Sequence, residues 1–278
     1  MPDERQFLFV CGCARSGTTA LALLLNHHPD ICIGLERFSK LSLGRKLSKE
    51  LFEPKRFADI RPEDCGYPTF DERSRSVDLP DRITTAHVVG DKQPRFFAVY
   101  DHLQAVFPQA THIYIARNIF DVAASYKRRL LDQQDPAWNR DVSRAISEWN
   151  ESIAKTLTFR RQAAVLIVEY EKLFGTGEGI DQLAAFIGVD PAPFRAAIPE
   201  FLLRSKLLAR KRAASPVLTF EERLQIAVRA DREGHQQLVG HSARHDGPSL
   251  SDSASAGRRG SNSEIAARRM APPEEDTP

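Results

Sequence analysis

Short runs of consecutive apolar residues alternate with longer amphipathic segments through most of the chain. Continuous apolar runs are typical of strands buried on both faces, and they predict strands at 7–11, 30–34, 86–90, 111–116 and 163–168. Helical periodicity predicts helices at 18–27, 41–52, 95–107, 118–132, 140–160, 180–187 and 220–239. Because strands and helices that alternate at this spacing form βαβ units, we predict a three-layer α/β fold whose central, mostly parallel sheet is flanked by helices.

Two segments depart from this alternation. Between residues 54 and 86, Pro, Asp, Arg and Gly interrupt the apolar pattern, and a long irregular segment inside a domain is usually a functional lid or a disordered insert. We expect a substrate lid there. After residue 240 the chain contains Ser, Gly, Pro and Arg with few large apolar residues, so burial cannot offset the entropy of ordering it. We therefore expect a single domain over 1–240 and a disordered tail over 241–278.

Composition excludes some classes of partner. Lys and Arg number 39 and Asp and Glu 37, a net charge of +2, so we expect neither nucleic acid nor an anionic membrane as a partner. No apolar stretch approaches the roughly 18 residues of a membrane span, and the first residues do not resemble a signal peptide. The four cysteines include no C-x-x-C pair and are expected to be free thiols. The sequence thus predicts a cytoplasmic protein without a membrane span.

A glycine loop stands between the first predicted strand and the first predicted helix. It runs from Gly12 to Thr19 and has the G-x-x-x-x-G spacing of a phosphate-binding loop, in which backbone N–H groups and a helix N-terminus form an anion cradle. Thr18 stands where a nucleotide-hydrolysing enzyme has its lysine, and the cation of this loop is Arg15 instead. The alternative is an ordinary strand–helix turn with a surface arginine.

A second candidate anion site follows the fourth predicted strand. Arg117 ends that strand, and ligands of open parallel sheets bind at the carboxyl ends of strands. Ser125 lies about two helical turns further along, so its hydroxyl can share an anion with the guanidinium. The alternative is a strand-end arginine in a surface ion pair and a serine that faces solvent.

Together, the two motifs resemble those of the sulfotransferases that use 3′-phosphoadenosine-5′-phosphosulfate (PAPS), and the resemblance extends over about 7–188. It implies a P-loop-type fold in which the first motif, Arg15-Ser-Gly-Thr-Thr19, holds the 5′-phosphosulfate. It also implies that Arg117 and Ser125 hold the 3′-phosphate. The implied donor-binding residues of the loop are Gly12, Arg15, Ser16, Gly17, Thr18 and Thr19.

Three further stretches support the resemblance. The segment from Gly90 to Pro94 resembles the family's D-K-x-P segment, and Tyr170 begins a Y-E-x-L motif whose tyrosine lies near the adenosine. A His-Pro pair at 28–29 followed by Glu36 is similar to the tyrosylprotein and carbohydrate branches, in which a glutamate 21 residues after the loop arginine is the catalytic base. These matches imply a position closer to those and the bacterial branches than to the animal phenol and steroid enzymes.

Three departures separate the chain from the animal phenol and steroid enzymes. Ala20 replaces the aromatic residue that follows G-T-T in many of them, and Pro94 stands at the position of their catalytic histidine. Their C-terminal R-K-G segment is also missing. A basic run after residue 200 is a candidate to cover the 3′-phosphate in place of that segment, although it can equally be a solvated helix face. It consists of Arg204, Lys206, Arg210, Lys211 and Arg212.

The resemblance implies a mechanism without a metal. Glu36 is the expected general base toward the acceptor hydroxyl, Lys92 the expected stabiliser of the leaving group, and Arg15 the expected partner of the sulfuryl oxygens. PAPS is then the co-substrate and 3′-phosphoadenosine 5′-phosphate (PAP) the product. The acceptor is a carbohydrate, a glycolipid or a small molecule. For Glu36 the alternative is a surface helix cap or an ion pair with Arg37.

Two other functions remain open. A P-loop kinase of a small metabolite has the same fold, although the missing loop lysine argues against it. A non-catalytic nucleotide-binding protein of this fold is the second alternative, and the joint presence of Glu36, Lys92 and Arg15 argues against it.

Overall fold

Five apolar runs form one parallel sheet in the computed structural model, which describes residues 5–65, 79–132, 138–214 and 217–240. The strands are β1 (Gln6–Cys11), β2 (Ile31–Leu35), β3 (Val88–Lys92), β4 (Thr111–Ala116) and β5 (Val165–Glu169). Their order is β2-β3-β1-β4-β5, and each neighbouring pair is parallel. Both faces of a parallel sheet are covered, which explains why the strands are apolar runs without alternation.

Helices lie between the strands and beyond the last one. They are α1 (Thr18–Leu25), α2 (Ser39–Leu43), α3 (Pro54–Ala58), α4 (Leu79–Thr85), α5 (Tyr100–Val106), α6 (Ile119–Leu130), α7 (Val142–Phe159), α8 (Tyr170–Thr176), α9 (Ile180–Ile187), α10 (Ala192–Ala214), α11 (Phe220–Arg229) and α12 (Arg232–Gly240). Two 3₁₀ helices cover Lys49–Phe52 and Pro94–Val99.

Two apolar cores pack against opposite faces of the sheet. Alternate residues of β1 separate between them: Phe9 contributes to one core, and Leu8 and Val10 contribute to the other. The Phe9 core includes side chains of α5, α6 and α7, whereas the Leu8 core includes side chains of α1, α8, α9 and α10. This arrangement confirms the predicted three-layer α/β fold.

The register of the sheet brings several chain segments to one edge. Val10 of β1 lies opposite Lys92 of β3, and Leu35 of β2 lies opposite the same Lys92. On the other side of β1, Cys11 lies opposite Tyr114 of β4. The residues that follow β1, β2 and β4 therefore emerge beside the end of β3.

Some helices differ from the predicted pattern. The predicted helix at 41–52 is divided into α2 and a 3₁₀ helix, with Gly44 as the C-terminal cap of α2. The predicted helix at 220–239 is divided into α11 and α12 at Ala230, whose backbone is extended, and the Asn150 side chain accepts the Asp231 N–H between the two helices. The sequence pattern does not predict α10, which contains Pro199 in its interior, a residue that normally interrupts a helix.

The two irregular segments are only partly described. The ends of the predicted lid at 54–86 form α3 and α4, while 66–78 lies outside the described residues, as does the predicted disordered tail at 241–278. The lid and the single-domain organisation stay predictions.

Candidate active site

The glycine loop connects β1 to α1 at the edge where the strands end. A turn within it is closed by the Ser16 N–H, which donates to the Cys13 carbonyl at 3.1 Å. Gly17 caps α1 with a φ of 99°, and a Cβ there would lie 2.5 Å from the Tyr170 ring. Only glycine fits both the left-handed backbone and this close contact. The loop is therefore held in one shape against the start of α8.

The remaining loop residues divide between interior and surface. Ser16 and Thr18 are buried, Thr19 is half-buried in the first turn of α1, and the Arg15 side chain is exposed. Arg15 also has a positive φ of 69°, which is uncommon for a residue with a side chain. The loop thus turns its cation outward at the N-terminus of α1, where backbone N–H groups favour an anion.

Arg15, Arg117 and Ser125 lie together. Arg15 donates from Nε to the Ser125 hydroxyl at 3.0 Å, and Arg117 donates from Nη1 to the Arg15 carbonyl at 3.1 Å. The serine predicted to share an anion with Arg117 is therefore joined directly to the loop cation. The two motifs form one site rather than two.

The Arg117 guanidinium is buried with part of its hydrogen-bonding capacity unused. Its plane lies over the Tyr170 ring, 4.0 Å from the centroid, and Nη2 is 3.6 Å from the Asp121 carboxylate. Nε and Nη2 have no hydrogen-bond partner among the described residues. Buried donors are rarely left unpaired, and a guanidinium binds phosphate through two parallel hydrogen bonds. The geometry therefore fits an anionic ligand such as a phosphate group at Arg117.

One basic residue of α10 reaches the same region. Arg212 Nε lies 3.9 Å from Asp121 Oδ1, and Arg128 of α6 donates to the Arg212 carbonyl at 3.4 Å. Burial and the neighbouring Arg212 lower the pKa of Arg128. Spacing along the sequence gave no way to select Arg212 from the basic run, because its approach depends on how α10 packs.

Glu36 and Lys92 form an ion pair at the ends of neighbouring strands. Lys92 Nζ lies 2.5 Å from Glu36 Oε1, and the lysine side chain is 1% exposed whereas the glutamate side chain is 17% exposed. The Glu36 N–H also donates to the Lys92 carbonyl at 2.8 Å. The two predicted catalytic residues are thus joined through side chain and backbone, and the carboxylate retains access to solvent.

Arg37 is directed away from Glu36 and into the interior. Its guanidinium pairs with the buried Asp64 carboxylate at 2.5 Å and donates to the Phe57 and Asp59 carbonyl groups. Glu36 therefore pairs with Lys92 and not with Arg37, which was the alternative from the sequence. Through Arg37, the first part of the predicted lid is fastened beside the site.

Asp91 lies beneath this ion pair and was not predicted to belong to the site. Its fully buried carboxylate accepts backbone N–H groups from Arg37 at 3.1 Å, from Phe38 at 2.9 Å and from Lys92 at 2.9 Å. Burial raises the pKa of Asp91 to about 6, although the hydrogen bonds from Phe38 and Arg37 oppose the shift. The sequence signal was its position next to Lys92.

Other chemistry is limited in the part of the chain that the structure describes. Within those residues, no group of three or more His, Cys, Asp or Glu side chains is arranged to hold a metal ion. The cysteines are free, as predicted, and burial raises the pKa of Cys11 and Cys32 to about 12. No described helix combines the length and apolar character needed to cross a membrane.

Comparison with known proteins gives a family match and a curated relative. A family model described as "Sulfotransferase family" matches residues 8–193. The nodulation protein NoeE of Sinorhizobium fredii (strain NBRC 101917 / NGR234) is 33% identical over 127 residues, which are 43% of this chain and 30% of that relative. The chain therefore spans less than a third of the curated relative that it matches.

Solved structures with similar folds share little sequence. A sulfotransferase from Alicyclobacillus acidocaldarius is 17% identical with a TM-score of 0.46, and 79% of this chain and 99% of that chain are covered. The sulfotransferase domain of the Synechococcus PCC 7002 olefin synthase is 22% identical with a TM-score of 0.43, and 68% and 76% are covered. Neither similarity bears on the chemistry of the site.

Proposed function

The chain belongs to the sulfotransferase family, and on that basis we propose that it transfers the sulfuryl group of PAPS to an acceptor hydroxyl and releases PAP. The observation that carries the proposal is the buried Arg117 guanidinium, which has two nitrogen atoms without hydrogen-bond partners among the described residues and is fixed to the loop through the Arg15 carbonyl. A donor with phosphates at both ends needs two connected anion sites. The loop and Arg117 supply them within one hydrogen-bonded unit.

The donor site combines the two motifs. Residues 12–19 and the N-terminus of α1 would hold the 5′-phosphosulfate, and Arg117 with Ser125 would hold the 3′-phosphate. Tyr170 packs against the loop and under Arg117, so it would lie between the two ends of the donor. A nucleotide with a 3′-phosphate suits this arrangement better than ATP, because the loop lacks the lysine that binds the γ-phosphate.

Catalysis rests on the Glu36–Lys92 pair. When bound, PAPS supplies a sulfuryl group whose bond to the 5′-phosphate breaks as the bond to the acceptor oxygen forms. Glu36 takes the proton from the acceptor hydroxyl, and its contact with Lys92 fixes the direction of the carboxylate. Lys92 and Arg15 place positive charge where negative charge develops on the departing oxygen and the sulfuryl oxygens.

The proposed acceptor is a hydroxyl group of a carbohydrate, a glycolipid or a small molecule. The Glu36 side chain is 17% exposed, which supports an acceptor that approaches from solvent. The proposal also includes action in the cytoplasm, supported by four free cysteines of which three are buried, since disulfides are rare in reducing compartments.

Ligand-induced thermal stabilisation tests the donor site. We expect PAP without metal to raise the Tm by several degrees at saturating concentration, because a ligand that binds only the folded state adds RT ln(1 + [L]/Kd) to its stability. The shift should be lost in Arg117→Ala and kept in Arg195→Ala, whose guanidinium forms an exposed ion pair with Asp181. Transfer is then measured with PAPS and a panel of hydroxyl acceptors.

Two outcomes would replace the proposal. Stabilisation by ATP with Mg²⁺ but not by PAP would identify a small-metabolite kinase. Tight PAP binding without transfer to any acceptor of the panel would identify a nucleotide-binding protein without catalytic activity.

A further inference from the structure

The turn after β2 holds Glu36 in an unusual backbone conformation. Glu36 has a φ of 67°, in the left-handed region that residues with a side chain uncommonly occupy. Such a conformation persists only when surrounding contacts determine it, and these positions cluster at functional sites. The contacts that hold this turn therefore also hold the carboxylate of Glu36.

Those contacts converge on Asp91. One oxygen of its carboxylate accepts the Arg37 and Lys92 N–H groups, and the other accepts the Phe38 N–H. The first oxygen approaches so closely that a Cβ on Gly34 would lie 2.7 Å from it. A single side chain thus binds the residue that follows Glu36 and the backbone of Lys92.

The energetics indicate that this carboxylate is kept for geometry. Asp91 is fully buried, and the ammonium of the adjacent Lys92 is directed to Glu36 instead. Burial of a carboxylate without a contacting cation is costly. Its hydrogen-bond partners are backbone N–H groups, so these bonds fix the conformation of the backbone.

We propose that Asp91 is a positioning residue for sulfuryl transfer, which presents Glu36 to Lys92 by binding both the turn after Glu36 and the backbone of Lys92. The inference rests on the proposed function, since positioning has meaning only for a reaction at Glu36. A carboxylate suits the task because all its oxygen lone pairs accept hydrogen bonds. A carboxamide has one accepting oxygen, and its NH₂ group would oppose at least one backbone N–H group.

The test is Asp91→Asn in the full chain, with Glu148→Gln as a matched control because Glu148 is also buried and accepts hydrogen bonds, from Tyr126 and Arg144 rather than from this turn. For Asp91→Asn we expect kcat to fall about 10- to 100-fold, as displacement of a catalytic group by about 1 Å does. The Kd of PAP should stay within about threefold of wild type. Hydrogen exchange should accelerate at the Arg37 or the Phe38 amide, since these amides bind different oxygens of Asp91 and the carboxamide NH₂ group replaces the acceptor of one of them. Glu148→Gln should lose stability but keep its kcat and the slow exchange of those amides.

A second variant tests the positioning role of Asp91 without changing Asp91 itself. Gly34→Ala keeps the carboxylate but places a methyl group against its oxygen, so it should displace the turn and lower kcat while PAP binding is kept. A kcat of Asp91→Asn within about twofold of wild type overturns the proposal. An equal loss of kcat in Glu148→Gln overturns it as well, because general destabilisation would then suffice.

The amide exchange separates this inference from the function on which it rests. If wild type transfers no sulfuryl group, the proposed function fails, and unchanged exchange at Arg37 and Phe38 in Asp91→Asn would in addition show that Asp91 does not hold the turn.

Discussion

Arg15 donates a hydrogen bond from Nε to the Ser125 hydroxyl at 3.0 Å, although 110 residues separate the two in the sequence. Arg15 lies in the loop after β1, and Ser125 lies on α6, which follows β4. The parallel pairing of β1 with β4 brings these segments side by side. The bond therefore joins the proposed 5′-phosphosulfate site to the proposed 3′-phosphate site, and it makes each sensitive to the other.

Removal of the Ser125 hydroxyl should weaken donor binding. In Ser125→Ala, Arg15 loses one hydrogen-bond partner, and a hydrogen bond to a charged group contributes about 1.5–3 kcal/mol when well formed. Because the guanidinium is exposed, we expect a smaller effect, a Kd for PAP that rises about 3- to 10-fold. Titration calorimetry measures it, with Ser147→Ala on the exposed side of α7 as the control. Equal affinities in both variants would contradict the prediction.

Separation of the Glu36–Lys92 pair should abolish turnover while donor binding persists. We expect Glu36→Gln to lower kcat at least about 100-fold, since general base catalysis contributes about 10² to 10⁴ in rate. Lys92→Met should lower it similarly through loss of the cation. The double variant should be little worse than either single one, because residues that act as a unit are not additive.

The controls for that pair are simple. Glu53→Gln, at the exposed start of α3, should keep its kcat, and PAP titration should give nearly equal Kd values for wild type and Glu36→Gln. Near-normal turnover in Glu36→Gln would remove Glu36 from the mechanism.

Residues tied to local patterns could be predicted from the sequence. The loop at 12–19 stands between an apolar run and a helical segment, Arg117 directly follows β4 and Lys92 ends β3, so their common edge follows from parallel pairing. The sequence does not specify strand order. Only the structure shows that β3 lies between β1 and β2, which brings Lys92 next to Glu36.

Contacts that depend on how helices and strands pack could not be predicted from the sequence. Asp91 reads as one polar residue in a strand, and its three backbone partners depend on the turn after β2. Arg37 reads as a surface cation, yet its buried pair with Asp64 directs it inward. Because Pro199 lies inside α10, the sequence pattern does not predict this helix. The approach of Arg212 to the donor site could therefore not be predicted either.

Arg212 is predicted to contribute to donor binding. Its guanidinium lies beside Asp121, which in turn lies beside Arg117, so a 3′-phosphate at Arg117 would be within its electrostatic reach. We expect Arg212→Ala to weaken PAP binding about 3- to 10-fold at low ionic strength and less at high salt. AMP, which lacks the 3′-phosphate, should bind wild type and Arg212→Ala with equal affinity.

The comparison with Arg204→Ala supplies the control for that effect. Arg204 is an exposed residue of the same helix and the same charge. A loss of affinity equal to that of Arg212→Ala would mean that the net charge of α10, rather than the place of Arg212, determines the effect.

His112 should make the stability of the protein depend on pH. The ring is fully buried in β4 among Phe9, Tyr100 and Phe159, and neither ring nitrogen has a hydrogen-bond partner among the described residues. Burial lowers the pKa of His112 from 6.5 to about 3. Below pH 6.5 the unfolded chain takes up a proton that the folded protein does not bind, so the stabilisation present above pH 6.5 is lost as the pH falls toward 3.

His112→Leu removes this proton and isolates its effect. The difference in the free energy of unfolding between variant and wild type, from urea titrations, should shift by about 2 kcal/mol in favour of the variant between pH 7.5 and pH 5. Other buried acids, such as Asp91 with a pKa raised to about 6, titrate in both proteins and cancel in the difference. A difference that is the same at both pH values would mean that His112 is protonated, or finds a partner, inside the folded protein.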